Sequence, residues 1–377
     1  MVTLGDVATI ERVGLDPGDL DPSTPYLGLE HIERGGQILG RSTVGGSELA
    51  STKFSFTPDH VLFGKLRPYL AKIARPDFAG VCSTDLLPIR PGEHVDRDYL
   101  VHYLRLPSTV DQAATRAAGA NLPRLNPAVL ATFEIPLPPL PEQRRIAAIL
   151  DHTDALRAKR RHSLTLLDLL TRSAFVDRFG DPMVNTRGLP TRALGSLASV
   201  MTGNSPSRSN PANFGGLIEW IKSDNLGGDV ASDAVESLSE LGLLGARVAP
   251  PGSVLVTCIA GSPASIGKAS LVDRPVAFNQ QINAVLPSVT IDSRFLLTQL
   301  KVAPELVRAQ STGGMKGLVS KSAFQGVQLL VPPLVDQREF ASRVAEINAQ
   351  RAAAQRSLHS LDELFASLQS RAFSGQL

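Results

Sequence analysis

The sequence predicts an α/β (α+β) protein in which two mixed α/β globules alternate with two long helices. The phrase PPLPEQRRIAAI begins at Pro138 and returns, with changes, as PPLVDQREFASR at Pro332, 194 positions later. After its opening turn, each copy continues as a long run without proline or glycine, which is typical of an uninterrupted helix. Residues 1–137 and 182–328 instead carry short β-branched runs separated by glycine, proline and aspartate, a pattern that predicts strands with a few short helices.

The two long helices are near-copies, because a fixed offset of 194 positions aligns them without a gap. Repeated phrases at a fixed spacing indicate an architecture built from repeated units. We therefore divide the chain into the segments 1–137, 138–181, 182–328 and 329–377, and we expect a pseudo-twofold internal repeat. The identical pairs include Pro139 and Pro333, Leu140 and Leu334, Gln143 and Gln337, Arg157 and Arg351, Leu167 and Leu361, and Phe179 and Phe373.

Apolar positions in both helices follow three–four spacing, which is the heptad pattern of a coiled coil. Proline is compatible with the first helical turn, where a backbone N–H has no partner anyway. The narrow apolar seams predict that the helices pack against each other as an antiparallel coiled coil. Two independent amphipathic helices, each on its own core, are the alternative. The seam positions are Leu150, Thr153, Leu164, Leu167 and Ala174 in the first helix, and Val344, Ile347, Ala354, Leu358, Leu361, Phe365 and Leu368 in the second.

Composition and charge are those of a globular protein. Hydrophobic residues make up 43% and charged residues 20% of the 377 residues, and the net charge of +2 does not by itself demand a polyanionic partner. Cys82 and Cys258 have no metal-ligand spacing and form no disulfide framework, so we expect a reducing, cytoplasmic location. The N-terminus lacks a signal-peptide pattern, and no apolar run approaches the ~20 residues that span a bilayer.

The sequence lacks the motifs of the common catalytic sites. GSPASIGKAS, from Gly261, resembles a phosphate-binding loop, but its glycines are one residue too far apart and Ala269 replaces the hydroxyl that binds magnesium. SNPANF, from Ser209, lacks the second proline of an amino-methyltransferase motif. The seven histidines are scattered and form no metal-binding or nucleophile-activating pattern. We therefore expect no catalytic residues and no metal site, and we expect a reader or an adaptor rather than an enzyme.

At this point the motifs resemble those of the specificity subunits of type I restriction–modification systems. IPLPPLPEQRRIAAILD, from Ile135, is similar to the family's central spacer, and VPPLVDQ, from Val331, is similar to its C-terminal spacer. FGKLRPYLAKI, from Phe63, and ASIGKASLVDRPVAFNQQIN, from Ala264, are similar to two types of target-recognition domain. The resemblance covers essentially the whole chain.

The resemblance implies that each globule reads one half of a split double-stranded DNA sequence. A helix of about 57 Å is longer than one DNA turn of ~34 Å, so we expect unread base pairs between the half-sites and expect the helices to set this gap. Because the helices are near-copies and the globules differ, we expect the two half-sites to differ. Two methyltransferase (modification) subunits are the implied partners, with motor-nuclease (restriction) subunits in the full complex. S-adenosylmethionine, ATP and magnesium are then expected in the partner chains, and no cofactor is expected in this chain.

The helix starts are the implied contacts with the partner subunits. In the second copy, Val335 and Asp336 depart from the family's pattern. The predicted partner-binding residues are Pro139, Leu140, Glu142 and Gln143 in the first copy, and Pro333, Leu334 and Gln337 in the second.

Polar and basic side chains in the glycine-containing loops are candidates for DNA contacts. Amide side chains suit adenine edges, and lysine and arginine suit phosphates and guanine. For each residue taken alone, a solvated loop position is the alternative interpretation. The candidates are Lys65, Arg67, Tyr69, Thr202, Asn204, Arg208, Lys268, Gln280, Gln281 and Lys316.

Two other functions remain as alternatives to DNA recognition. A non-catalytic coiled-coil adaptor would use its globules to bind proteins, and it would retain protein but not a specific DNA sequence. A stand-alone methyltransferase is disfavoured, because the sequence has neither a cofactor-binding glycine loop nor a complete catalytic motif.

Overall fold

The computed structural model describes residues 1–311 and 317–377, which divide into two compact units. Unit 1 consists of Met1–Lys159 and Leu358–Leu377, and unit 2 consists of Arg160–Ser357. Each unit therefore contains a globule together with parts of both long helices. The division into four linear segments stays a prediction, because the compact units divide the chain within the helices and not at their ends.

The globule of unit 1 is built from short strands and short helices. The strands are β1 (Val2–Thr3), β2 (Ala8–Ile10), β3 (Gly14–Leu15), β4 (Pro25–Leu27), β5 (Ser42–Thr43), β6 (Lys53–Phe56), β7 (Val61–Gly64), β8 (Ile73–Ala74), β9 (Gly80–Cys82), β10 (Leu86–Pro91) and β11 (Glu134–Ile135). The helices are α1 (Leu4–Val7), α2 (Arg97–Leu104), α3 (Pro107–Thr115) and α4 (Pro127–Ala131). Asp96 begins α2, since its side chain accepts hydrogen bonds from the backbone N–H groups of the first turn.

The strands of unit 1 form two sheets that share a core. One sheet is antiparallel, in the order β2-β10-β7-β8, and the other has the order β3-β6-β9-β4-β5, with β4 and β9 parallel. In the first sheet Leu87 lies opposite Phe63. Leu27 and Phe56 of the second sheet are buried in one cluster with Leu62 of the first. A separate pair, β1 and β11, joins the two ends of the globule.

The helix α5 (Leu140–Phe179) follows this globule and continues into unit 2. It has 40 residues, which corresponds to about 60 Å at 1.5 Å per residue. The chain leaves the helix at Gly180, whose φ of 80° lies in the left-handed region. Glycine adopts that conformation without a steric penalty and commonly ends helices for this reason.

The globule of unit 2 repeats this plan. Its strands are β12 (Thr191–Ala193), β13 (Val200–Thr202), β14 (Phe214–Ile221), β15 (Ser237–Leu238), β16 (Val248–Ala249), β17 (Val254–Thr257), β18 (Ile259–Ala260), β19 (Ala269–Leu271), β20 (Val276–Phe278), β21 (Ile282–Val285), β22 (Gly317–Leu318) and β23 (Gln328–Leu330). Its helices are α6 (Leu194–Leu197), α7 (Glu240–Leu244), α8 (Ser293–Val302), α9 (Glu305–Arg308) and α10 (Lys321–Gln325). Asp292 caps α8 as Asp96 caps α2.

The sheet orders show the internal repeat. The antiparallel sheet β13-β21-β17-β19 corresponds strand by strand to β2-β10-β7-β8 of unit 1. The parallel pair β14 and β20 corresponds to β4 and β9, and the closing pair β12 and β23 corresponds to β1 and β11. The repeat predicted from the helices therefore extends through both globules.

The last helix is α11 (Leu334–Phe373), which also has 40 residues. Both long helices thus begin two residues after the first proline of the repeated phrase and end at equivalent phenylalanines. Each helix end belongs to a globular core. Ile146 and Leu150 of α5 lie in the core of unit 1, and Phe340 of α11 lies in the core of unit 2.

Within each unit the two long helices run antiparallel. In unit 1, Arg157 pairs with Asp362 at 2.6 Å, and Arg145, earlier in α5, donates to the carbonyl of the later residue Leu377 at 2.9 Å. In unit 2, Arg351 pairs with Asp168 at 2.5 Å. The predicted seam positions are buried or half-buried. The helices therefore form the predicted antiparallel pair, and their ends also pack on the globules, so both interpretations of the apolar pattern apply in part.

No helix among residues 1–311 and 317–377 has the length and apolarity of a membrane span. Both cysteines are free and buried. Burial raises the pKa of the Cys82 and Cys258 thiols to about 12. Both side chains are therefore protonated at neutral pH and act as small core residues.

Candidate nucleic-acid interface

In unit 1 the predicted residues Lys65, Arg67 and Tyr69 lie on one turn between β7 and β8. Pro68 is buried and anchors the turn, while the Arg67 and Tyr69 side chains are exposed. Arg67 adopts a left-handed φ of 49°, which costs about 1–2 kcal/mol for a residue other than glycine. The surrounding structure must hold this conformation, so the turn presents its two side chains in a fixed direction.

Two neighbouring segments hold this turn in place. The backbone N–H of Lys65 donates to the carbonyl of Asp85, and that of Arg67 donates to the carbonyl of Pro123 at 2.7 Å. The Asp85 carboxylate receives two hydrogen bonds from Arg124, at 2.9 and 3.2 Å. The hydrogen-bonded carboxylate raises the pKa of Arg124 above its ordinary value. Three loops therefore converge at this edge of the sheet.

Asp85 and Arg124 were not among the residues predicted from the sequence. The repeat contained a signal for Asp85, because VCSTDLLPIRP of unit 1 corresponds to AFNQQINAVLP of unit 2. Asp85 aligns with Gln281. The Asp85 carbonyl accepts from the backbone N–H of Lys65, the first residue after β7, and the Gln281 carbonyl accepts from that of Cys258, the first residue after β17. Arg124 had no such signal, since its approach to Asp85 depends on a loop that is remote in sequence.

In unit 2, four of the predicted residues lie around one site at the end of β13. Thr202 donates to the side chain of Asn283 at 2.6 Å. The backbone N–H of Asn204 donates to the carbonyl of Phe278, and Gln280 accepts a hydrogen bond from Ser205. The structure also places Gln281 here, half-buried, with its amide oxygen accepting from Asn279 at 3.0 Å. The exposed Gln280 is the amide of this group that is most open to solvent.

Arg208 lies near this group but already has an anionic partner. Its guanidinium pairs with Glu236 at 2.9 Å and lies 5.5 Å from the centre of the Trp220 ring. Lys222 also pairs with Glu236. The hydrogen bond from Lys222 holds the pKa of that carboxyl below its usual range. A DNA phosphate would therefore compete with Glu236 for Arg208.

The Lys268 side chain lines a different depression from the one that Thr202 and Gln280 line. Lys268 follows Gly267, whose φ is 82°, and precedes β19. Its exposed side chain lies beside a shallow depression that Lys301 and Arg308 also line. Lys268 therefore contributes to a separate basic patch. The remaining candidate, Lys316, lies outside the described residues.

The predicted partner-binding residues are split between the surface and the interior. Pro139 and Pro333 are exposed, while Leu140 and Leu334 are half-buried. Glu142, also half-buried, pairs with Arg145 within α5 at 2.7 Å. Apart from the two glutamines, these residues leave side-chain surface exposed at each helix start, and a partner could contact that surface.

Gln143 and Gln337 are fully used inside their units. Gln143 accepts from the backbone N–H of Asp96 at 2.8 Å and donates to the carbonyls of His94 and Pro138. Gln337 accepts from the backbone N–H of Asp292 at 2.9 Å. Both side chains are buried. The structure gives these two residues an internal role, because each joins a long helix to the capping residue of α2 or α8. Their contact with a partner stays a prediction.

Comparison with known proteins identifies the family to which this chain belongs. The sequence model of the type I restriction modification DNA specificity domain matches residues 1–166 and again residues 188–356. The type I restriction enzyme EcoDI specificity subunit of Escherichia coli is 29% identical over 163 residues, which are 42% of this chain and 36% of that relative. The match thus spans little more than a third of the relative's length.

Two solved structures share the fold over nearly the whole chain. The type I restriction–modification system S subunit from M. genitalium has a TM-score of 0.64 at 14% identity, covering 99% of this chain and 95% of that one. A chain solved in work on complex assembly and conformational transition of the type I R-M system has a TM-score of 0.59 at 24% identity, covering 100% and 97%. The match of the domain model to both halves confirms the resemblance found in the sequence, and the chain belongs to the family of type I restriction–modification DNA specificity proteins.

Proposed function

We propose that this chain is the DNA sequence-recognition subunit of a type I restriction–modification complex. The observation that carries the proposal is the double match of one DNA specificity domain to residues 1–166 and 188–356. A repeated specificity domain in one chain favours a bipartite target, with one half-site for each unit. On this proposal the chain itself is non-catalytic and works in the cytoplasm, where its DNA is found.

The two half-sites differ in sequence because the equivalent loops carry different chemistry. In unit 1 the turn after β7 presents Arg67 and Tyr69 beside the Asp85–Arg124 pair. In unit 2, the amide side chains of Gln280 and Gln281 occupy the places of Thr84 and Asp85. Arginine favours guanine and phosphate, whereas amides favour adenine. The common scaffold therefore presents two unlike reading surfaces.

The long helices set the distance between the half-sites and carry the partner subunits. The exposed prolines at Pro139 and Pro333, with the adjacent Leu140 and Leu334, offer equivalent surfaces in both units. Equivalent surfaces favour two copies of one partner, which we assign to the methyltransferase subunits. Restriction subunits join the complete complex. S-adenosylmethionine, ATP and magnesium belong to these partners on this proposal.

A selection experiment tests the proposal. The chain, purified together with its methyltransferase subunit, is incubated with a random DNA library, and the retained DNA is sequenced. We expect two unlike motifs separated by a fixed unread gap, and no methylation or cleavage by the chain alone. Retention of protein partners without any preferred DNA sequence would instead support an adaptor.

A further inference from the structure

Unit 2 contains a cavity of about 530 Å³ whose lining includes none of the residues predicted to contact DNA. It lies between α5, α8, α11 and the segment 227–230. Leu169, Leu297 and Val344 contribute to its apolar wall. Volumes of roughly 300–1,000 Å³ with mostly apolar walls and a few polar groups are typical of small-molecule sites.

Charged groups at this cavity are predominantly cationic. Asp229 accepts from Lys301 at 2.7 Å and from Arg351 at 2.5 Å. Arg351 also pairs with Asp168. Arg172 and Arg294 line the cavity too. Arg172 donates to the backbone carbonyl of Val302 at 3.1 Å, and within the described part of the chain neither arginine has an ion pair. Two carboxylates thus face four cations, which leaves positive charge for an anion.

The equivalent place in unit 1 is filled by larger side chains. The offset of 194 positions pairs Thr171 with Phe365, and alignment of α8 on α2 at their capping aspartates pairs Thr298 with His102. In unit 1 the His102 and Phe365 rings lie 6.3 Å apart and close the space between the helices. The two threonines of unit 2 have much smaller side chains, so the same scaffold leaves an opening there.

The charges at two aligned positions also differ between the units. Arg294 of α8 stands where α2 has Asp98, and Asn348 of α11 stands where α5 has Asp154. Asp98 pairs with Arg75 at 2.8 Å in unit 1, and Asp154 pairs with Arg157 at 2.7 Å. Unit 2 has lost both carboxylates at these positions and gained a cation. Unit 1 therefore serves as an internal reference in which ion-paired carboxylates occupy these two positions.

Two polar atoms beside the cavity have no hydrogen-bond partner. Asn348 Oδ1 and Arg351 Nε are both buried and unpaired. Buried polar atoms in native proteins are nearly always paired. Arg351 Nε is a donor, and an anionic oxygen can accept its hydrogen bond. Asn348 Oδ1 is an acceptor, so Asn348 would contribute to an anion site through its amide NH2 group after rotation of the side chain.

We propose that this cavity binds a small organic anion, in which a phosphate or carboxylate is carried on an apolar body. The anionic group lies toward Arg294 and Arg351, and the apolar body packs on Leu169 and Leu297. The site belongs to unit 2 alone, because His102 and Phe365 occupy the equivalent space in unit 1. It is independent of DNA recognition and is measured without DNA.

Calorimetric titration of the full chain with phenyl phosphate tests this site, because that probe combines both chemistries. Benzyl alcohol supplies the apolar ring without the charge, and inorganic phosphate supplies the charge without the ring. We expect phenyl phosphate to bind at least about tenfold more tightly than either control. Equal binding of all three probes, or no binding of phenyl phosphate at millimolar concentration, would overturn the proposal.

Two variants locate the binding. Thr171→Phe combined with Thr298→His copies unit 1 and fills the cavity, and Arg294→Gln removes one cation without adding bulk. We expect the filled variant to lose phenyl phosphate binding and R294Q to weaken it about tenfold or more. Circular dichroism checks that each variant is folded. If the filled variant does not fold, R294Q alone still tests the site. Undiminished binding by a folded variant of either kind would place the anion elsewhere and refute the site.

Discussion

Replacing Asp151 with asparagine should destabilise unit 1, because this carboxylate joins α5 to the globule. It accepts two hydrogen bonds from Arg75, at 2.7 and 2.9 Å, and one from the buried His102 at 2.8 Å. Asparagine has nearly the same shape but lacks the charge. It also places an N–H group where one of the two carboxylate oxygens accepts a hydrogen bond.

The size of the effect follows from the burial of the network. Breaking a fully buried ion pair costs about 3–5 kcal/mol. Arg75 and Asp151 are 30% and 32% exposed, so solvent screening reduces this to about 2–3 kcal/mol. Asp154→Asn is the matched control, one turn along the same helix. The Asp154 side chain is more exposed than that of Asp151, at 42%, and its pair with Arg157 is spaced i, i+3. Such pairs contribute about 0.5 kcal/mol or less.

The loss should depend on pH in a defined direction. Burial alone would raise the pKa of Asp151, but the hydrogen bonds from His102 and Arg75 outweigh it and hold the pKa well below its usual range. A lowered folded-state pKa contributes stability above the unfolded value of about 3.9, and this contribution is lost as the pH falls through the folded value. The difference between wild type and D151N should therefore be constant from pH 7 to about 5 and shrink at lower pH.

Urea unfolding followed by circular dichroism at pH 7, 5 and 3.5 measures these differences. The reasoning is refuted if D151N loses no more than D154N at pH 7. It is also refuted if the loss for D151N grows as the pH is lowered, since protonation of the wild-type carboxyl must bring the two proteins closer together.

Three further predictions concern the helix starts, the reading turn and the spacer. Gln143→Leu and Gln337→Leu should each lower the free energy of unfolding by about 2–4 kcal/mol, because buried backbone groups lose their partners. The control Gln355→Leu, at an exposed position, should change it by less than about 0.5 kcal/mol. Equal effects of the three substitutions in urea unfolding would contradict the internal role of the two buried glutamines. Arg67→Ala should relax the preference in one half-site only, as read by selection from random DNA, and a change in both would be inconsistent with separate readers. Four residues inserted after Ser163 add about 6 Å to α5 and should widen the unread gap by one or two base pairs without altering the half-sites, whereas an unchanged gap in an active complex would show that the helices do not set it.

Much of the fold could be predicted because the chain contains a repeat, so that one half of the sequence can be compared with the other. The repeated phrase at Pro138 and Pro332 indicated both long helices, which begin at Leu140 and Leu334. Heptad spacing identified the seam. The sequence could not show that the helix ends also complete the globular cores, because contacts such as that of Phe340 with Phe295, with ring centroids 6.4 Å apart, join segments far apart in the chain.

The candidate site was only partly predictable for a related reason. Loop composition pointed to Arg67 and Gln280. It could not show that Lys268 and Gln280 line different depressions, or that Gln143 is bonded to Asp96, 47 residues away. The sequence did contain an indication of the cavity in unit 2, because the helix repeat aligns Thr171 with the larger Phe365. Where a small core side chain in one unit aligns with a large one in the other, the unit with the small side chain contains space that the other lacks.

Exchange of one globule tests the central claim most directly. Residues 182–328 are replaced by the equivalent globule of another member of the family, and the hybrid is expressed with its methyltransferase subunits in a host that lacks this activity. Methylated adenines are then mapped across the genome. The account predicts that one half of the methylated sequence changes while the other half and the unread gap are retained. A change in both halves, or an unchanged target in an active complex, would contradict independent recognition by the two units.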